Sequence, residues 1–178
     1  MSEKEHNIIF GSGELFIVPE SVDLTEATEE EIEESLELVG QSSGEAALIV
    51  ENEFEKVRGG RGHKVLASIR VSEEIKFNAG IVTLELDKMS QFLAGDYSET
   101  EKEKVLKLGG DYTIPISRLR FVHYKQDGKR LILDMHKAIN EAGLEMSFNA
   151  EEASVFELEF TLLQANGKDN IVTITEEI

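Results

Sequence analysis

Apolar and polar residues alternate along several short segments of this chain. Over Lys64 to Ile75, every second residue is apolar from Val65 to Val71. The same alternation occurs in residues 82–86, 144–148 and 156–162. A period of two predicts β-strands with one buried face. Residues 46–57, rich in Val, Ile and Phe, predict a further strand. Shorter ones are predicted at residues 7–10, 14–18, 105–108 and 171–175.

One hairpin is especially well defined in the sequence. Asp127-Gly128 separates two alternating runs, 118–126 and 129–137, and this dipeptide favours a two-residue type I′ turn. That turn places Val122 opposite Leu133 and predicts a diagonal pair between His123 and Asp134. Both faces of the hairpin are then substantially apolar. One face can join the core, and the other needs a helix or another subunit to cover it. A second hairpin is predicted to join residues 144–148 to residues 156–162.

A single short helix is predicted at about 87–95. Asp87 resembles an N-cap and Gly95 a C-terminal stop, with Met89, Phe92 and Leu93 on one face between them. The whole chain of 178 residues is therefore predicted to be one mainly β domain. Its fold class is an antiparallel β-sandwich or partly open barrel with one short flanking α-helix and a long flexible hairpin loop.

The charge is strongly negative and unevenly distributed. The chain has 36 acidic and 18 basic residues, for a net charge of −18. Between Glu5 and Glu55 there are 15 acidic residues and no Lys or Arg. The densest part, the acidic linker 20–37, is interpreted as a solvated loop or a short helix capped by Thr28 and Glu31. The alternative is a surface that faces a polyanion without binding it, because such a charge repels nucleic-acid phosphate.

The predicted hairpin tip between the strands at 46–57 and 64–75 has an unusual composition. It is formed by six residues, namely Arg58, Gly59, Gly60, Arg61, Gly62 and His63. Ordering three glycines in so short a segment costs much conformational entropy. The tip is therefore either a plain mobile loop or a loop that becomes ordered only against a partner.

No pattern in the sequence indicates catalysis. The chain contains no cysteine, no nucleophile-elbow serine and no closely spaced histidine cluster for zinc. It also lacks a long apolar run for a membrane span or signal peptide. We therefore expect no enzymatic activity, no catalytic or metal-binding residues and no cofactor.

The order of segments resembles the major tail tube proteins of long-tailed bacteriophages and related phage tail-like particles. The resemblance extends from about Gly11 to Leu162, from GELF through the acidic linker to GLEMSF. Its most specific parts are EEIKFNAGIVTLEL at 73–86 and RFVHYKQDGKRLIL at 120–133.

The resemblance implies a structural virion protein that assembles in the bacterial host cytoplasm. Six such subunits form a ring, and rings stack into a hollow tail tube through which DNA passes without specific binding. Implied partners are other copies of the chain, a tape measure protein, and tail terminator and initiator proteins. By position, the tip from Arg58 to His63 resembles the family's inter-ring loop, and we expect Arg58 and Arg61 to meet acidic surface on the adjacent ring. Candidates for an acidic lumen are four glutamates, namely Glu51, Glu53, Glu73 and Glu85.

Two alternatives to a tail tube subunit remain open. One is another ring-forming tail or secretion-tube subunit, whose rings do not extend indefinitely. The other is an acidic ligand-binding β-barrel or carbohydrate-binding module, which predicts a stable monomer with a pocket. The absence of Trp argues against sugar binding, where aromatic platforms are common.

Overall fold

A computed structural model describes residues 13–22, 26–83, 85–145, 155–167 and 170–178. The chain is mainly β, with two short helices in the described residues. The elements are β1 (Gly13–Val18), α1 (Glu29–Ser35), β2 (Glu37–Gly40), β3 (Ser42–Gly59), β4 (Lys64–Ile81), α2 (Leu86–Met89), β5 (Gly95–Glu99), β6 (Lys104–Leu108), β7 (Ile116–Tyr124), β8 (Arg130–Ile139), β9 (Phe156–Leu162) and β10 (Val172–Glu176).

Eight strands form one antiparallel sheet, and β5 and β6 form a separate two-stranded sheet. The order in the large sheet is β2-β1-β7-β8-β9-β4-β3, with β10 paired to β8. The rings of Phe77 on β4 and Phe121 on β7 lie 5.2 Å apart, although two strands separate β4 from β7 in the sheet. The sheet therefore bends back on itself around one core, and the described strands do not close into a barrel. The mainly antiparallel β fold predicted from the sequence is confirmed.

Alternation along the strands builds this core. On β7, Leu119 and Phe121 point inward and oppose Met135 and Leu133 of β8. On β4, Phe77 is 1% exposed and lies opposite Phe160 of β9. The predicted strands at 14–18, 46–57, 64–75, 105–108, 156–162 and 171–175 all correspond to strands of the structure.

The β7–β8 hairpin is present, but its predicted register is wrong by one residue. Val122 pairs with Ile132 instead of Leu133. The connection is not a two-residue turn. The amide of Gly128 donates to the carbonyl of Lys125 at 3.0 Å, and Gly128 has φ +82°. This is the three-residue loop in which a turn is followed by a left-handed glycine bulge, and the added residue shifts every later pair.

The register shift removes the predicted pair between His123 and Asp134. His123 lies opposite Leu131 on the core side, whereas Asp134 lies opposite Arg120 on the other face of the sheet. Asp134 accepts hydrogen bonds from Arg120, with Nε–Oδ1 at 2.6 Å and Nη2–Oδ2 at 3.0 Å. A one-residue slip exchanges the two faces of a strand, and this explains the error.

The predicted helix at 87–95 is mostly absent as a regular helix. Helix α2 covers only Leu86–Met89 and continues into turns whose last bond joins the Leu93 amide to the Met89 carbonyl. Glu85 rather than Asp87 is the N-cap residue, and Gly95 begins β5. Phe92 is nevertheless fully buried and packs edge-on against Phe160, so the predicted apolar face is used for core packing.

Three other predicted strands either are not strands in the structure or lie wholly or partly outside the described residues. Residues 82–83 and 85–86 are not in a strand, because β4 ends at Ile81 and α2 follows; Leu84 lies outside the described residues. The predicted strand at 7–10 also lies outside them, as do residues 146–154, which include three of the five residues of the predicted strand at 144–148. The described partners of β9 are β4 and β8.

Helix α1 is part of the acidic linker and lies against the outer face of the sheet. Its Thr28 side chain caps the Glu31 amide and Glu31 caps the Thr28 amide, which confirms the short capped helix. Within the helix, the side chain of Ile32 is buried, and Glu29 accepts a 2.5 Å hydrogen bond from Arg120. Thus Arg120, only 2% exposed, joins α1 to the sheet through Glu29 and Asp134. Two residues on the second face of the β7–β8 hairpin, Arg120 and Arg130, thus bind α1.

The Arg120 cluster predicts a large difference between two carboxylate deletions. Asp134→Ala leaves the buried guanidinium without its main partner and should lower the free energy of unfolding by roughly 3–5 kcal/mol. Glu85→Ala removes an exposed ion pair with Lys104 and should cost no more than about 1 kcal/mol. Urea denaturation of both variants measures these values. Equal small losses would show that the Arg120 cluster does not stabilise the fold.

Candidate assembly surface

Strands β3 and β4 are far longer than the other strands and extend beyond the core. Each has 18 residues, and they pair from Ser42 and Ile81 at the base to Gly59 and Lys64 at the tip. Only the base half contributes to the core, through residues such as Ile75 and Phe77. The outer half, residues 51–74, is here named the ribbon.

The ribbon carries large apolar side chains that are exposed to solvent. All six of its large apolar side chains are exposed, namely Phe54, Val57, Val65, Leu66, Ile69 and Val71. Ile69 is 55% exposed and Leu66 67% exposed. The alternation at 64–75 correctly predicted a strand, but the expectation that one face is buried is wrong for residues 65–71 of the isolated chain.

Both faces of the ribbon are partly apolar. Val57 pairs with Ala67, and Ile69 pairs with Glu55, which places Val57 and Ile69 on one face. Phe54 lies on the other face, because successive side chains of β3 alternate. The register shifts twice, after Glu53 and after Val57, and each shift inserts an extra β4 residue. Such bulges twist a strand pair and redistribute its side chains between faces.

The turn at the end of the ribbon is shorter than the predicted loop. Strand β3 continues through Arg58 and Gly59, so that only Gly60, Arg61, Gly62 and His63 form the turn. Gly60 and Gly62 have φ of +72° and +94°, values that favour glycine. The Nη1 of Arg58 lies 3.4 Å from the His63 carbonyl oxygen. The predicted role of these six residues in stacking remains a prediction.

The four candidate lumen glutamates do not share one face. Glu51 and Glu53 lie on the same face of the ribbon, opposite Glu74 and Ser72. Glu73 pairs with Asn52 and is therefore on the other face, where Arg70 binds its carboxylate at 2.7 Å.

Glu85 is farther away, immediately before α2, and its carboxylate lies 3.4 Å from Lys104. Of the four, only Glu51 and Glu53 are brought together. Alternation alone could not show this, because the face of Glu73 depends on its pairing with β3.

A second group of ion pairs fastens the C-terminal strand and α1 together. Arg130 binds Glu33 of α1 and also Glu177, with Nη2–Oε1 at 2.7 Å in the second pair. Hydrogen bonds from the Arg130 side chain and amide hold the pKa of Glu177 below its ordinary value. Sequence reasoning missed Arg120 and Arg130, although a basic residue within an apolar strand opposite an acidic helix is a usable signal.

No family model matches this chain, and no curated protein matches it. Among the described residues, no helix is both long and apolar enough to cross a membrane.

The bare ribbon predicts that its apolar residues contribute little to the stability of a single chain. Leu66→Ser and Ile69→Thr should each change the free energy of unfolding by no more than about 0.5 kcal/mol, as for other surface positions. Phe77→Ala, in the core, should cost about 3–5 kcal/mol. Denaturation at concentrations where the protein is monomeric measures all three. A core-like loss at Leu66 or Ile69 would mean that the ribbon folds against its own domain.

The cap of α1 predicts an acid-sensitive helix. The Thr28 amide, then the Thr28 hydroxyl, hydrogen-bond to Glu31 and lower its pKa from 4.5. Since the folded pKa is the lower one, this stabilisation is present above pH 4.5 and is lost as the pH falls through the lowered value. NMR titration of the side-chain carboxyls should show this pKa below 4.5. It should rise towards 4.5 in Thr28→Ala but not in Ser35→Ala, and equal values in all three proteins would contradict the cap.

Proposed function

We propose that this chain is a structural subunit that assembles into rings, and that the rings stack into a hollow tube of the phage-tail type. The observation that carries the proposal is the ribbon, a β-hairpin that projects from the sheet with exposed apolar residues on both faces. Contiguous exposed apolar surface of this kind marks an interaction site. The chain has no catalytic role in this proposal.

The ends of the large sheet support lateral association between copies. Strand β3 is the last strand in the order, and β4 is its only partner among the described strands. At the other end, β2 has four residues. Unpaired strand edges accept a strand from another chain. Two different edges on one subunit allow a head-to-tail contact, which closes into a ring when the rotation between copies permits.

The charge of the chain supports a conduit that does not retain DNA. A net charge of −18 repels phosphate, so that a polymer of this chain with carboxylates on its inner wall would let a duplex slide. Glu51 and Glu53, adjacent on one ribbon face, are the best-placed pair of the proposed lumen residues. In this proposal the ribbon makes the contact between rings, and tail tape measure, terminator and initiator proteins are the other partners.

Shortening the turn of the ribbon tests the proposal. Deletion of Gly59–Gly62 removes Arg61 and three glycines at the end of the ribbon, and should leave a folded monomer that does not polymerise. Sedimentation velocity measures the polymer, while circular dichroism and cooperative thermal unfolding check the fold. A matched control carries Glu101→Ser and Lys102→Ser in the β5–β6 turn and should assemble as the unaltered chain does. Normal tubes from the deletion variant would overturn the role of the ribbon.

A further inference from the structure

The end of the ribbon concentrates positive charge that has no ion-pair partner among the described residues. Lys56, Arg58, Arg61 and Lys64 fall within nine residues, and no acidic residue occurs between Glu55 and Glu73. None of the four forms an ion pair with a described residue. In a chain with a net charge of −18, this segment is suited to bind an acidic surface.

A cleft at the base of the same two strands is acidic and so complements the cationic tip. It has a volume of about 430 Å³ and lies between the first part of β3, the last part of β4, and β9. Three carboxylates surround it, those of Glu45, Glu157 and Glu159. Among the described residues Glu45 and Glu157 have no ion-pair partner, and the carboxylate of Glu159 lies 3.8 Å from Lys76.

The floor of this cleft also contains an unsatisfied hydrogen-bond acceptor. Asn78 pairs with Ala47 and with Glu159, and so it lies on the outer face of the sheet. Its Oδ1 is buried and accepts no hydrogen bond from any described residue. A buried acceptor without a donor is costly, and the small residue Ala47 lies opposite Asn78 in the cleft.

We propose that the cationic end of the ribbon of one copy inserts into this acidic cleft of a second copy. Arg61 or Arg58 supplies the guanidinium, whose planar set of donors is suited to the carboxylates of the cleft. The proposal rests on the self-assembly proposed above and identifies the two surfaces that meet.

A chain cannot fill its own cleft. Ala47 lies in the cleft and Arg58 at the tip, eleven residues apart on one extended strand, which is roughly 36 Å at 3.3 Å per residue. The contact is therefore between different surfaces of two copies. A contact of this type propagates from copy to copy and is suited to stacking.

Cysteine cross-linking tests the contact directly, because the chain has no native cysteine. His63→Cys marks the tip and Ala47→Cys marks the cleft, and neither change removes a charged partner. The two variants are mixed, one of them isotopically labelled, and oxidised mildly; mass spectrometry then identifies the mixed dimer. The control partner is Ser98→Cys, an exposed position on β5. The mixed dimer of tip and cleft should form in clear excess over the dimer of tip and control.

Charge reversal shows whether ion pairing makes the contact. Arg58→Glu with Arg61→Glu, added to the tip variant, should reduce the mixed dimer about tenfold or more, since like charges across an interface cost at least the 1.4 kcal/mol of one such factor. Glu45→Lys with Glu157→Lys in the cleft variant should then restore it. A yield equal to the Ser98→Cys control, or unaffected by both reversals, would overturn the proposal.

The outcomes separate this inference from the proposed function. If the Gly59–Gly62 deletion blocks assembly but the tip does not cross-link to the cleft, the ribbon has another receptor and this inference alone fails. If the unaltered chain does not polymerise and the two cysteine variants yield no mixed dimer at any concentration, both fail. If the tip instead binds a short DNA duplex and the charge-reversed tip does not, its partner is nucleic acid and the inference is wrong.

Discussion

Strands β3 and β4 hydrogen-bond to each other from Ser42 and Ile81 at the base of the sheet to Gly59 and Lys64 at the tip. Near the base, β9 extends the sheet and the core covers one face. Beyond the pair Val50–Ile75 towards the tip, the side chains on both faces are exposed. The backbone pairing of the two strands therefore continues where the core packing stops. A two-stranded ribbon alone is marginally stable in water. Its register must therefore be fixed by the well-packed base, and its exposed side chains remain available to another molecule.

Charge is also distributed unevenly between the body of the domain and the ribbon. On the body of the domain, a few cations each bind two carboxylates: Arg120 joins α1 to β8, and Arg130 joins α1 to the C-terminal strand. These ion pairs hold the densest acidic segment against the sheet. At the ribbon tip, the cations bind no carboxylate of the described residues. The intramolecular ion pairs thus leave an anionic body and a cationic projection, an arrangement that favours association between copies over folding of the tip onto its own domain.

The sequence predicted the strands well because burial of the base half imposes strict alternation at residues such as Phe77 and Phe160. For the acidic linker it left open a solvated loop or a helix capped by Thr28 and Glu31, and the helix is what forms, through reciprocal bonds that are local. The register of paired strands and the exposure of their side chains were harder to predict from the sequence. Gly128 forms a bulge that shifted the β7–β8 register and separated His123 from Asp134. The alternation of Val65 to Val71 has the same form whether the covering layer is intramolecular or another copy, so it could not show that the ribbon is bare. The positions of the lumen candidates, Glu73 among them, depend on pairing that no single segment encodes.

Electron microscopy of the purified full chain, negatively stained over a series of concentrations, tests the central claim most directly. The account predicts hollow tubes with a regular ring repeat in side view and closed rings with a central channel in end view. A population of compact monomers at every concentration, without rings or tubes, would contradict the proposal that this fold is an assembly subunit.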